Sequence, residues 1–262
     1  MIYSKKSLGQ NFLKDLNIIK KIVDLVKVYN RDILEIGPGK GALTDEIIRN
    51  KPRSLVLVEK DYALFKELKL KYRKNKKVTI FNEDILKFNF KKKIKNNSII
   101  FGNLPYNISS QILATIIKIK DPPYKYSDLI FMFQKELAQR IIGKYNTSKY
   151  GRLSILTNYK LNIIKKFDVS SNCFDPKPKV ESVILSFKPK KSYPFRIKNL
   201  ENLEKITNIL FSNKRKMINK NIKKLFNHDQ VDTIKNLNLE SRPSNLNPEK
   251  YFEITMLYEK YL

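Results

Sequence analysis

From about residue 32 to residue 143, short runs of β-branched and aliphatic residues alternate with segments of helical length, and this limits the fold more than any other feature. Asp32-Ile33-Leu34-Glu35-Ile36 runs into a glycine turn, which leads to a helical stretch at 42–50 and a second β run at 54–58. That is one βαβ unit. The pattern predicts a helix over 61–73, strands at 78–81 and 98–101, a helix over 108–119, a strand at 128–133, and helices over 134–143 and from about Gly151. Upstream, Asp15 is placed to cap a helix in which Ile18, Ile19, Ile22, Val23 and Val26 recur at helical spacing. Strands separated by helix-length segments imply an α/β fold with a mostly parallel, doubly wound sheet. Two later β runs, 161–169 and 180–187, are joined through Phe174-Asp175-Pro176-Lys177-Pro178 with no helix between them, and read as an antiparallel hairpin at the sheet edge. Beyond Lys188-Pro189-Lys190 the strand signals stop. The expected organisation is an α/β domain over 1–189 and a small all-α domain over 190–262, with turns at Arg242-Pro243-Ser244 and Asn247-Pro248.

Charge narrows the partners. Fifty-three basic residues against 25 acidic ones give a formal net charge of +28, which favours nucleic acid over an acidic membrane surface. Lysine far outnumbers arginine, as an AT-rich genome would produce, but exchanging one for the other creates no net charge. About +7 of the excess lies in residues 190–262, so basic surface is not confined to an appended tail. Cys173 is the lone cysteine and His228 the lone histidine, which rules out an intrachain disulfide and argues against a Cys/His zinc site. No metal is expected. The first residues lack the apolar run of a secretory signal and no stretch reaches membrane-span length, so a soluble, cytoplasmic protein in a reducing setting is expected.

Three polar signals fall at successive strand ends. Glu35-Ile36-Gly37-Pro38-Gly39-Lys40-Gly41 sits where a strand meets a helix, and glycines there let backbone turn tightly and approach a ligand. Alone, Gly37 and Gly39 could equally mark a structural turn. Glu59 ends the next strand, where a carboxylate in such folds accepts from ribose hydroxyls, and Asp84 follows the third, placed to accept from an adenine amine. Pro38 and the lack of a Gly-Lys-Ser/Thr sequence favour a nucleoside such as S-adenosylmethionine over a dinucleotide or ATP.

Gly102-Asn103-Leu104-Pro105-Tyr106 follows the strand at 98–101. An exocyclic adenine amine is a weak nucleophile because its lone pair is delocalised into the ring. The Asn103 side-chain oxygen and a nearby carbonyl, that of Leu104, could accept both amine hydrogens and favour a tetrahedral nitrogen. Pro105 would hold that carbonyl in an extended turn, and Tyr106 offers a face for an unstacked base. A sulfonium leaving group makes a strong general base unnecessary, so the absence of a catalytic histidine is no obstacle. The alternative is an ordinary turn with a packed tyrosine.

Gly9-Gln10-Asn11-Phe12-Leu13, the run from Glu35 to Gly39, Glu59, Asp84, the run from Phe101 to Ile108, Tyr150-Gly151-Arg152-Leu153-Ser154 and Phe174-x-Pro-x-Pro-Lys-Val-x-Ser182 together resemble the KsgA/RsmA small-subunit rRNA adenine dimethyltransferases. A looser echo follows at Phe211-Ser212-Asn213-Lys214-Arg215-Lys216. The resemblance implies a Rossmann-like methyltransferase domain in which Asn11, Leu13, Gly37, Glu59, Asp84 and Asn103 contact S-adenosylmethionine. It also implies that Asn103, Tyr106 and Phe174 surround the target base, with Phe174 as the second aromatic of a sandwich; a buried loop anchor is the alternative for Phe174. The implied reaction is N6,N6-dimethylation of two adjacent adenosines in a hairpin near the 3′ end of 16S rRNA. The implied partner is an immature small ribosomal subunit, engaged by a monomer. Two alternatives stay open: an Erm-type 23S rRNA adenine dimethyltransferase, and a mainly non-catalytic assembly factor. Erm-type enzymes commonly carry Asn-Ile-Pro-Tyr where this chain has Asn103-Leu104-Pro105-Tyr106. A short N-terminal lead and Asn213-Lys214-Arg215, in place of a more arginine-rich run, depart from the family pattern.

Overall fold

A computed structural model describes residues 10–119, 125–192 and 194–262; Gly9 of the N-terminal motif lies outside them. The chain divides into two compact units, residues 1–138 with 163–189, and residues 139–162 with 190–262.

In the first unit a two-residue strand, β1 (Phe12–Leu13), leads into α1 (Leu16–Val23). The expected alternation follows, with one short helix that was not expected: β2 (Asp32–Ile36), α2 (Ala42–Arg49), β3 (Ser54–Glu59), α3 (Tyr62–Lys71), β4 (Val78–Asn82), the unexpected α4 (Phe90–Lys93), β5 (Ser98–Asn103), α5 (Ser109–Ile117) and β6 (Tyr126–Gln134). After α6 (Lys135–Ile141) and α7 (Arg152–Lys160) come β7 (Leu161–Val169), β8 (Phe174–Asp175) and β9 (Ser182–Pro189). Seven strands form one sheet in the order β4-β3-β2-β5-β6-β9-β7. β2 pairs in parallel with both β3 and β5, β3 with β4, and β5 with β6; β9 runs antiparallel to β6. The strand order therefore reverses between β2 and β5, and ligands in such sheets bind beyond the carboxyl ends of the strands at that switch point.

Burial explains the unbroken apolar runs. All of β2 is buried, as is β5 up to Asn103, which is the pattern of strands covered on both faces. Ile19, Ile22 and Val23 of α1, Leu43 and Ile47 of α2 and Leu68 of α3 share a core cluster with Ile33, Leu55, Leu57, Ile99 and Phe101 of the sheet. Each such side chain contributes about 1.5–3 kcal/mol. Asp15 caps α1 as expected, its Oδ1 accepting from the Ile18 N–H at 3.0 Å, although the helix ends at Val23 and leaves Val26 beyond it.

The two late β runs do lie side by side at the sheet edge, with β7 outermost, although the last strand begins at Ser182 and not at residue 180. A second, two-stranded sheet pairs β1 with β8, Leu13 opposite Phe174, and two-residue strands leave no periodicity to read. A single cut at residue 190 also misplaces residues 139–162, which belong with the second unit. Aromatic packing contributes to this: Tyr150 meets Phe211 edge-on at 6.1 Å and Tyr159 meets Phe252 at 5.0 Å.

Apart from the first two residues of β7, the regular structure of that second unit is helical among its described residues, joining α7 to α8 (Leu200–Phe211), α9 (Asn219–Ile222), α10 (His228–Asp232) and α11 (Pro248–Lys260). Phe211 stacks on Tyr251 at 5.7 Å. The Glu259 carboxylate near the end of α11 accepts from the Lys198 and Asn199 N–H groups at 2.7 and 2.8 Å and from Asn202 Nδ2 at 3.0 Å. It thereby satisfies donors that the start of α8 would otherwise leave unpaired.

Candidate active site

A cavity of about 450 Å³ opens where β2, β3, β4 and β5 end, and the N-terminal residues Gln10 to Lys14 form one of its walls. Every cofactor residue expected from the sequence lines it: Asn11, Leu13, Gly37, Gly39, Glu59, Asp84 and Asn103. Leu104, Pro105 and Tyr106 line it as well.

The glycine turn follows from a close approach. Gly39 has φ +58°, and a Cβ there would stand 2.9 Å from Cδ1 of Phe12, so only glycine lets the N-terminal segment close over the turn. Lys40 Nζ covers the same Phe12 ring at 4.9 Å. Glu59, 6% exposed, braces the turn from below: its Oε2 accepts from the Gly39 N–H at 3.2 Å and its Oε1 from the Asp61 N–H at 2.8 Å. Burial raises its pKa, and those backbone donors oppose the rise. A carboxylate held by two N–H groups keeps further lone pairs for a ligand.

Asp84 caps the short turn that follows β4, its Oδ1 accepting from the Leu86 N–H at 3.0 Å, while its Oδ2 pairs with Lys60 Nζ at 2.8 Å. The Lys60 hydrogen bond holds its pKa below the usual carboxylate range. It is thus an ionised acceptor at the rim.

Asn103 ends β5, and its Nδ2 donates to the Asn11 carbonyl at 3.0 Å. This contact fixes which way the amide faces and turns Oδ1 to the other side. Leu104 is buried and folds back over Gly102, where a Cβ would lie 2.5 Å from Leu104 Cδ2. The Tyr106 hydroxyl shares a hydrogen bond of 2.7 Å with Ser182 Oγ, and burial raises its pKa, so the phenol is neutral.

Phe174 departs from expectation. Its ring is 1% exposed, belongs to the core cluster and is absent from the cavity wall, where Asp175 stands instead. Pairing of β8 with β1, extended by the Lys14 N–H donating to the Cys173 carbonyl at 2.8 Å, turns the ring inward. In this structure Phe174 packs as a buried anchor.

Two cavity features escaped the sequence. One is the wall built by residues 10–14, which the family resemblance marked only at Asn11 and Leu13. The other is Glu35, 2% exposed and lining the cavity, whose Oε2 accepts from Thr44 Oγ1 at 2.7 Å. Burial, with the nearby Asp45 and Glu59 carboxylates adding to it, pushes the Glu35 pKa up to about 8 against the opposing Thr44 bond. The signal was available, since a carboxylate at the fourth place of Asp32-Ile33-Leu34-Glu35-Ile36 cannot reach water if the strand is buried on both faces.

A family model described as ribosomal RNA adenine dimethylase matches residues 2–260. A relative from Pelagibacter ubique, ribosomal RNA small subunit methyltransferase A, is 44% identical over 98% of this chain and 98% of its own length. The crystal structure of a dimethyladenosine transferase from Plasmodium falciparum superposes with a TM-score of 0.81 at 26% identity, covering 95% of this chain and 98% of that one. The 23S rRNA methyltransferase ErmE, at 22% identity and a TM-score of 0.68 over 95% of this chain and 100% of that one, shares the fold.

Proposed function

The chain belongs to the ribosomal RNA adenine dimethylase family, and from that premise we propose that it dimethylates the N6 amines of two adjacent adenosines in a hairpin near the 3′ end of 16S rRNA. The substrate form proposed is an immature small ribosomal subunit, engaged by a monomer in the cytoplasm; no helix among the described residues is long and apolar enough to cross a membrane.

S-adenosylmethionine is the methyl donor, and the residues suit it. The cavity supplies buried Glu59 for ribose hydroxyls, Asp84 for the adenine amine and Leu13 and Ile85 as apolar wall. When bound, the donor supplies an electrophilic methyl on a sulfonium. The chain's own task is to make the adenine amine nucleophilic and aim it. Asn103 Oδ1 and the Leu104 carbonyl accept the two N6 hydrogens, drawing nitrogen toward tetrahedral geometry. Tyr106 gives its ring as a wall for the base; its neutral hydroxyl, held by Ser182, takes no proton. No base is needed, because a methylated amine carrying positive charge sheds its proton readily.

One observation carries this reading: the donor residues and the amine-acceptor loop line a single cavity. The small-subunit name of a relative 44% identical along the whole chain supports 16S over 23S rRNA. Incubation of the protein with labelled S-adenosylmethionine and undermethylated 30S or 50S particles tests it. Label in 30S is expected. Label in 50S alone would refute the substrate, and label in neither would leave a binding role.

A further inference from the structure

Ser182 closes the Phe174-x-Pro-x-Pro-Lys-Val-x-Ser182 run, and neither the donor site nor the amine acceptors use it. It is fully buried, the first residue of β9, with its backbone opposite Gln134 of β6. The neighbouring Glu181 carbonyl accepts from the Lys135 N–H at 3.0 Å, so the strand is pinned at this point. Into this fixed position reaches the Tyr106 hydroxyl, 2.7 Å from Ser182 Oγ. Among the described residues, Ser182 is the hydrogen-bond partner of that hydroxyl. Tyr106 lies on the loop after β5, and its backbone carbonyl accepts from Ser109 Oγ at 3.2 Å, which fixes the main chain but not the side chain. A half-buried phenol without a partner would turn toward water to recover its lost hydrogen bond.

The two ends of the Phe174–Ser182 run thus each connect to the loop after β5, one through the β1–β8 pair and one directly. At one end, Phe174 lies opposite Leu13 in the β1–β8 pair, two residues from the Asn11 carbonyl that orients Asn103. At the other, Ser182 orients Tyr106. We propose that Ser182 is a positioning residue for the methyl transfer: its hydroxyl locks the Tyr106 ring at the angle that seats the adenine opposite Asn103. This rests on the reading of Tyr106 as the wall for the target base.

The test is a double-mutant cycle on the full-length protein with undermethylated 30S particles, using Ser182→Ala, Tyr106→Phe and the pair, with Tyr106→Ala as control. Tyr106→Ala checks the underlying reading: turnover equal to that of the wild type would remove the ring from the base site and leave Ser182 nothing to position. With that control inactive, Ser182→Ala should lower kcat/KM for the particle on the order of tenfold, the scale of one buried hydroxyl left unpaired. The dissociation constant for S-adenosylmethionine, measured by calorimetry, should stay within about twofold. In the Tyr106→Phe background, Ser182→Ala should add less than about twofold, because the bond is already absent. A merely structural serine would cost the same in both backgrounds. Equal costs would overturn the proposal, as would parallel losses of donor affinity and turnover.

Discussion

Replacing Glu35 by Gln should flatten the alkaline limb of the protein's stability curve. The carboxyl is buried, and its pKa rises from the ordinary 4.5 to about 8. Such a group keeps its proton in the folded state where the unfolded chain has already lost it. Its contribution is therefore complete below the unfolded value and drains away as pH climbs through the folded one. Between pH 7 and pH 9 the folded carboxyl passes from about nine-tenths protonated to about one-tenth. A proton held only by the folded state costs ~1.4 kcal/mol of stability for each step of one in pH, so this interval removes about 1.4 kcal/mol. From pH 5 to pH 9 the same integration gives about 4 kcal/mol. Glutamine cannot ionise, has nearly the same shape, and can still accept from Thr44 Oγ1 as Glu35 does at 2.7 Å. Urea unfolding of wild type and Glu35→Gln at pH 5, 7 and 9 separates this group from all others, because the rest of the titration cancels in the difference. The variant should match the wild type to within about 1 kcal/mol at pH 5, show most of its gain by pH 7 and level off above pH 8. Parallel stability curves from pH 5 to pH 9 would refute a neutral, desolvated Glu35.

Asn103→Ala should lower turnover by about two to three orders of magnitude while the calorimetric affinity for S-adenosylmethionine changes little; equal losses of both would show that the side chain serves mainly the donor. Glu59→Ala should weaken donor binding by about 1.5–3 kcal/mol. It also frees the Gly39 and Asp61 N–H groups that Glu59 now holds, so unchanged affinity would remove the residue from the site. Phe174→Leu separates an anchor from a stacking ring. A buried anchor predicts a lower midpoint of thermal unfolding, equivalent to about 1–2 kcal/mol of stability, with turnover retained, whereas a stacking ring would lose turnover at unchanged stability.

The parts of the site that were legible in the sequence are those fixed by topology. Once a parallel sheet is inferred from its strand and helix lengths, Glu59, Asp84 and Asn103 follow, because a residue that ends a strand near the switch point faces the ligand crevice whatever its neighbours are. What stayed hidden depends on contacts between segments far apart in the chain. Gln10 to Lys14 form a wall only because β1 pairs with β8, some 160 residues away, and two residues carry no period. Residues 139–162 join the second unit through long-range contacts, among them Tyr150 with Phe211 and Tyr159 with Phe252.

Phe174 shows the limit most sharply. An aromatic residue beside a Pro-x-Pro run can face either a base or the core, since both are apolar surfaces and the local sequence is the same in each case. Its direction is decided by backbone pairing: with Leu13 opposite Phe174 and Phe12 opposite Asp175, alternation along the strand sends one side chain into the core and the next toward the cavity, which Asp175 lines. A one-residue slip would exchange them. The same pairing sets the path of Asn11, whose carbonyl holds the Asn103 amide. Burying Phe174 and orienting Asn103 are therefore two results of one register, and a substitution that lets the pair slip should impair both at once.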